Sequence, residues 1–198
     1  MDEPKELLTL EVGARAGPIL QELRQELFSG QTVVFIDKRA DFFPQLQKEL
    51  ENTLPDKKKF FLQADATGLP FELNSVGTIV ARNIFGADKY YAMEKGKSIM
   101  EWPQENVGDF ENIADDWYKK CAGGGRVIIL ETATPTNFDD LDKSFTLAGF
   151  VREESDIYKQ GEIAKLLDVE GVEYEAHRDS FESTFPKDSF AVIYHKAS

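Results

Sequence analysis

Leu7-Leu8-Thr9-Leu10-Glu11-Val12-Gly13-Ala14-Arg15-Ala16-Gly17-Pro18 carries three signals in succession. Residues 7–12 are mostly apolar or β-favouring and predict a strand. Gly13, Ala14, Ala16 and Gly17 leave little side-chain bulk in the turn that follows, so a ligand can approach the backbone and the start of the next helix. Pro18 sits where a first helical turn tolerates it, and Ile19, Leu20, Leu23 and Leu27 recur at helical spacing up to the stop at Ser29-Gly30. Strand, small-residue turn and helix together form the opening unit of a parallel sheet with crossover helices.

The unit repeats along the chain. Residues 32–36 are nearly all apolar, as a strand covered on both faces requires. A helix is expected over 41–51 with Phe42, Leu46 and Leu50 on one side, then a polar turn over 52–59 and a third strand over 60–63. Lys57-Lys58-Lys59, the only basic run, reads as part of that turn, solvated. A fourth strand is expected over 76–82 and a helix over 106–121. Gly123-Gly124-Gly125 leads into a fifth strand over 126–131, and a helix over 138–148 stops at Gly149. Strands over 150–158 and 189–195 flank a long acidic stretch with a short helix at 162–167. The expectation is one α/β domain over residues 1–198, a three-layer αβα sandwich around a doubly wound, mostly parallel sheet.

Composition narrows the function classes. Acidic residues outnumber basic ones by 36 to 23 and the net charge is −13, so a phosphate backbone is repelled at long range and nucleic acid is a poor candidate substrate. No apolar run approaches the roughly 18 residues of a membrane span, and Met1-Asp2-Glu3-Pro4-Lys5-Glu6 has no signal-peptide character, so a cytoplasmic location is expected. One cysteine, Cys121, excludes an internal disulfide and a cysteine-built zinc site; it reads as buried apolar filler. No other group of residues stands out as a metal site.

Ligands of such sheets bind beyond the carboxyl ends of the strands. Three strand-to-helix loops there carry informative residues: the turn around Gly13, Asp37 in Phe35-Ile36-Asp37-Lys38-Arg39, and Ala64-Asp65-Ala66-Thr67-Gly68-Leu69-Pro70-Phe71. Asp37 follows Gly17 by about 20 residues, the interval at which nucleotide-binding sheets place the acid that grips ribose hydroxyls. Asp37 also suits a helix cap and Asp65 an ordinary Asx turn. The dinucleotide fingerprint wants glycines at its first, third and sixth places, where this chain has Gly13, Arg15 and Pro18, so NAD is a minority reading.

The order Glu-x-Gly-x-x-x-Gly, Ile-Asp, Asp-Ala-x-x-Leu-Pro-Phe and Gly-Gly-Gly-Arg-Val-Ile-Ile-Leu-Glu resembles the successive motifs of the class I S-adenosylmethionine-dependent methyltransferases across most of residues 7–196. The resemblance implies a seven-stranded sheet whose last strand, here 189–195, runs antiparallel, and S-adenosyl-L-methionine as cofactor. It implies Glu11 and Gly13 beside the methionine moiety in a turn completed by Arg15 and Gly17, Asp37 on the ribose, and Asp65 with Ala66 on the adenine. The segment Ala81-Arg82-Asn83-Ile84-Phe85 would face methyl group and acceptor, with Arg82 on the cofactor side and Asn83 and Phe85 on the substrate side. Residues 84–104, which hold Phe85, Tyr90, Tyr91, Met93, Met100 and Trp102, are expected to cover the acceptor, with Tyr91 and Trp102 as contacts.

The sequence departs from the family at two places. Arg15 stands where the family has a middle glycine; its guanidinium either pairs with the cofactor's carboxylate or occupies the cofactor's space. Few residues precede the first strand, where many relatives carry covering helices, so the cover is expected from a second copy, a partner subunit or a longer form of the chain. His177 and His195 read as structural or surface histidines and no catalytic base is assigned, which in-line methyl transfer does not require. The leading expectation is a methyltransferase acting on a small molecule. Its rivals are a catalytically silent methyltransferase-like binding or regulatory subunit and another nucleotide-binding enzyme.

Overall fold

The computed structural model describes residues 6–14, 28, 30–82, 84–85, 107–131, 138–153, 158–159 and 190–198. In chain order these form β1 (Leu8–Val12), β2 (Thr32–Asp37), α1 (Phe43–Thr53), β3 (Lys58–Gln63) and β4 (Val76–Arg82). There follow α2 (Val107–Lys120), β5 (Cys121–Glu131), α3 (Phe138–Ala148), β6 (Val151–Arg152), β7 (Tyr158–Lys159) and β8 (Phe190–His195). One sheet runs β3-β2-β1-β4-β5-β8-β6, with β7 also paired to β8. Strands β1 to β5 are mutually parallel, whereas β8 is antiparallel to β5, β6 and β7. β6 and β7 share one edge position, giving seven positions of which β8 is the reversed one. The register slips by three residues between them, since Val151 faces His195 while Tyr158 faces Ala191.

Alternation along the apolar strands builds two cores. Val33, Phe35, Val80, Ile128 and Leu130 point to the face where Leu46 and Leu50 of α1 lie. Their neighbours Val34, Ile36, Ile79, Ala81, Val127 and Ile129 point to the other face, against Ile113, Ala114 and Trp117 of α2 and Leu141 and Phe145 of α3. Helices on both faces of one sheet make the three-layer sandwich, as the all-apolar strands require. Among the described residues, no helix is long and apolar enough to cross a membrane.

Several boundaries differ from expectation. β3 starts at Lys58, inside the expected turn, because the backbone there already pairs with β2: the Lys58 N–H donates to the Gln31 carbonyl (2.9 Å), while Lys57 Nζ donates to the Gly30 carbonyl and Lys59 Nζ to that of Leu54. β5 starts at Cys121, so the triple glycine belongs to the strand and α2 ends one residue early. The strand expected over 150–158 is split into β6 and β7. The helices expected over 19–27 and 162–167, and His177, lie outside the described residues.

The junction of α2 and β5 is closed by one side chain. Lys196 Nζ donates to the carbonyls of Tyr118 (2.8 Å) and Cys121 (2.9 Å) and to Asn74 Oδ1 (3.0 Å), and lies 4.5 Å from the centre of the Tyr118 ring. A cation there satisfies carbonyls that a helix C-terminus leaves without intrahelical donors. Lys196→Met keeps the apolar stem and removes the donor, and is expected to cost about 1–3 kcal/mol in urea denaturation. A change within a few tenths of a kcal/mol would show that water replaces the lysine without penalty.

Candidate functional site

The carboxyl ends of β1, β2, β3, β4 and β5 lie side by side. Val12 pairs with Ile36 and with Ala81, Asp37 with Gln63, and Arg82 with Leu130. Gly13 leaves β1 with φ +79°, a conformation that needs glycine, and its N–H donates to the Ile36 carbonyl (2.9 Å). The Ala64 N–H donates to the Asp37 carbonyl (3.1 Å). These bonds bring the three motif loops into one row.

Two buried charges flank the glycine turn. Glu11 and Arg82, 3% and 7% exposed, approach to 3.8 Å, and Arg82 donates to the Gly13 carbonyl (3.3 Å). The guanidinium therefore ties the end of β4 to the turn after β1 while its charge is matched inside the protein.

Asp37 is half-buried and its Oδ1 accepts the Arg39 N–H (2.8 Å). Asp65 is exposed; its Oδ1 accepts both the N–H and the hydroxyl of Thr67 (3.1 Å each), an Asx turn. The loop carrying Asp65 and Ala66 is fixed by α2. Trp117 Nε1 donates to the Ala66 carbonyl (3.0 Å), Asp116 accepts the Leu69 N–H (3.0 Å), and Lys120 Nζ donates to the Phe71 carbonyl (2.7 Å).

Phe85, expected on the substrate side, packs its ring edge-on against Phe110, Trp117 and Phe145, at centroid distances of 5.2, 6.1 and 5.9 Å. Arg15, Gly17, Asn83, Tyr91 and Trp102 lie outside the described residues. His195 pairs with Glu153 at the far edge of the sheet (3.0 Å). Among the described residues no cluster of three or more His, Cys, Asp or Glu is arranged to hold a metal ion.

The sequence reading overlooked Glu131. It ends β5 at this same edge, is 2% exposed, and its Oε1 accepts the N–H groups of Ile84 (2.8 Å) and Phe85 (3.1 Å). The signal was present: like Glu11, it is an acid near the carboxyl end of an apolar strand at the ligand edge.

No protein-family model matches the sequence, and no curated protein matches it either. Solved structures do match. A SAM-dependent methyltransferase from Methanosarcina mazei superposes with a TM-score of 0.63 at 12% identity, over 98% of this chain and 94% of that one. The chain has the class I methyltransferase fold. Phosphoethanolamine N-methyltransferase 2 of Haemonchus contortus, solved with S-adenosyl-L-methionine, matches with a TM-score of 0.57 at 13% identity, over all of this chain and 50% of that one. Geranyl diphosphate C-methyltransferase of Streptomyces coelicolor, solved with Mg2+, geranyl diphosphate and S-adenosyl-L-homocysteine, gives 0.56 at 10% identity, over 98% of this chain and 73% of that one. Within this methyltransferase fold, the ends of β1 to β3 are the part of the sheet where the motif residues gather.

Proposed function

We propose that the chain is an S-adenosylmethionine-dependent methyltransferase acting on a small molecule, one cytoplasmic domain over residues 1–198. The observation that carries this reading is the convergence of Glu11, Gly13, Asp37, Asp65 and Ala66 on adjacent strand ends, at the edge where this winding takes its ligands. The residues present fit the cofactor. A carboxylate accepts several hydrogen bonds at once, so Asp37 suits ribose hydroxyls alongside the Arg39 amide. Asp65 suits the adenine amino group beside the small Ala66. A small acceptor agrees with the net charge of −13 and with the small substrates named for two of the similar structures.

When bound, S-adenosylmethionine supplies a methyl group on a sulfonium. The chain's part is to hold the nucleoside, align the acceptor within about 3–3.5 Å of the methyl carbon and exclude water. Calorimetric titration tests the reading: S-adenosylmethionine and S-adenosylhomocysteine should bind and NAD should not. Asp37→Ala should weaken binding by about 1.5–3 kcal/mol, roughly ten- to a hundredfold, and an unchanged affinity removes Asp37 from the ribose. Arg15→Gly should also weaken binding, because a guanidinium can pair with the cofactor's carboxylate as a fork. Tighter binding by that variant would mean that Arg15 obstructs the cofactor.

A further inference from the structure

We propose that Glu131 is a positioning residue that fixes the wall of the site beside Gly13, an inference that rests on the S-adenosylmethionine reading. A carboxylate ending a strand at the ligand edge would ordinarily face ligand or solvent. This one is 2% exposed and accepts two consecutive backbone N–H groups, those of Ile84 and Phe85, just where the chain leaves β4. Charge-assisted bonds of this kind are among the strongest that hold a loop.

The held segment bears on the glycine turn. A Cβ placed on Gly13 would lie 2.3 Å from the Arg82 carbonyl oxygen and 2.8 Å from Ile84 Cδ1, so Arg82 and Ile84 pack directly on the turn. On one side Arg82 bonds the Gly13 carbonyl, and on the other the Phe85 ring is seated among Phe110, Trp117 and Phe145. Between these anchors, Glu131 sets the path of the Ile84 backbone and through it the apolar surface presented beside Gly13. It touches no proposed ligand itself and acts through Ile84.

The test compares the native chain with Glu131→Ala, Glu131→Gln and Glu131→Asp. The readouts are S-adenosylhomocysteine affinity by calorimetry, thermal stability, and amide exchange at Ile84 and Phe85. Glu131→Ala should lose about tenfold or more in affinity and exchange faster at both amides, whereas Glu131→Gln, which keeps an acceptor oxygen in place, should bind within about threefold of native. Glu131→Asp, whose shorter side chain withdraws the acceptor, should lose about fivefold or more; it decides the matter if the alanine variant does not fold. A variant that melts lower but binds with native affinity makes Glu131 merely structural and overturns the proposal. A native chain that binds no S-adenosylhomocysteine overturns the cofactor reading and this role with it. Native binding with undiminished affinity in Glu131→Asp overturns the role alone.

Discussion

Gly13→Ala is expected to lower stability by about 3 kcal/mol or more and to abolish S-adenosylhomocysteine binding. Two costs add. The φ of +79° penalises any residue with a Cβ by about 1–2 kcal/mol. The new methyl would also stand 2.3 Å from the Arg82 carbonyl oxygen, a backbone atom of a central strand that cannot rotate away. Relief requires β1 and β4 to part where Val12 pairs with Ala81. Gly68 provides the control: its φ is +67° but nothing lies within 4 Å of its would-be Cβ, so Gly68→Ala should cost only the conformational part, about 1–2 kcal/mol. Urea denaturation of both variants checks the difference. Equal losses would show that the sheet yields to the Gly13 methyl and that the close approach is not a constraint.

Stability should fall steeply above pH 9. Complete burial pushes the Cys121 thiol from an ordinary 9 up to about 12, against a smaller opposing effect of Lys196. The unfolded chain therefore releases this proton near pH 9 while the native chain keeps it, so the stabilisation is intact below pH 9 and lost between pH 9 and 12. Three pH units correspond to about 4 kcal/mol. Tyr194 acts in the same direction: burial, then the nearby Asp142 carboxylate that accepts its hydroxyl at 2.9 Å, raise it well above the usual phenol value. Denaturation at pH 8, 10 and 11.5 should show the decline, and Cys121→Ala should flatten it by about half or more. A decline of the same slope in that variant would assign the effect elsewhere. At pH 8 the native thiol should resist alkylation until the chain unfolds.

Most of the sheet was legible because its strands are apolar throughout and their ends are punctuated. The bounds of β4 over 76–82 and of the helix over 138–148 agree with expectation, and Gly149, with φ +105°, stops the latter. The misread places are those where lysines or glycines do a strand's work. Lys58 and Lys59 read as loop because exposed edge positions tolerate polar side chains, and Gly123 to Gly125 read as a turn because glycine is poor in strands. Glu11, Gly13, Asp37 and Asp65 stand out as candidates because their motifs are local in sequence. Glu131 shows its place at the end of an apolar strand but not its role, because its partners, the amides of Ile84 and Phe85, lie more than forty residues upstream. Trp117 was hidden for the same reason, its indole bond to Ala66 spanning 51 residues.

The reversed strand β8 sits between β5 and the pair β6 and β7, although it is made after all three. During biosynthesis, a nascent chain that has emerged only through Lys159 has β5 without its neighbour, and β6 and β7 with nothing to pair to. For that interval Val127, Ile128, Ile129 and Leu130 border an open β-edge, the kind of surface that templates misassembly and engages chaperones. A premature stop anywhere between β7 and β8 would make that interval permanent, leaving a polypeptide with every motif residue present and a sheet that cannot close.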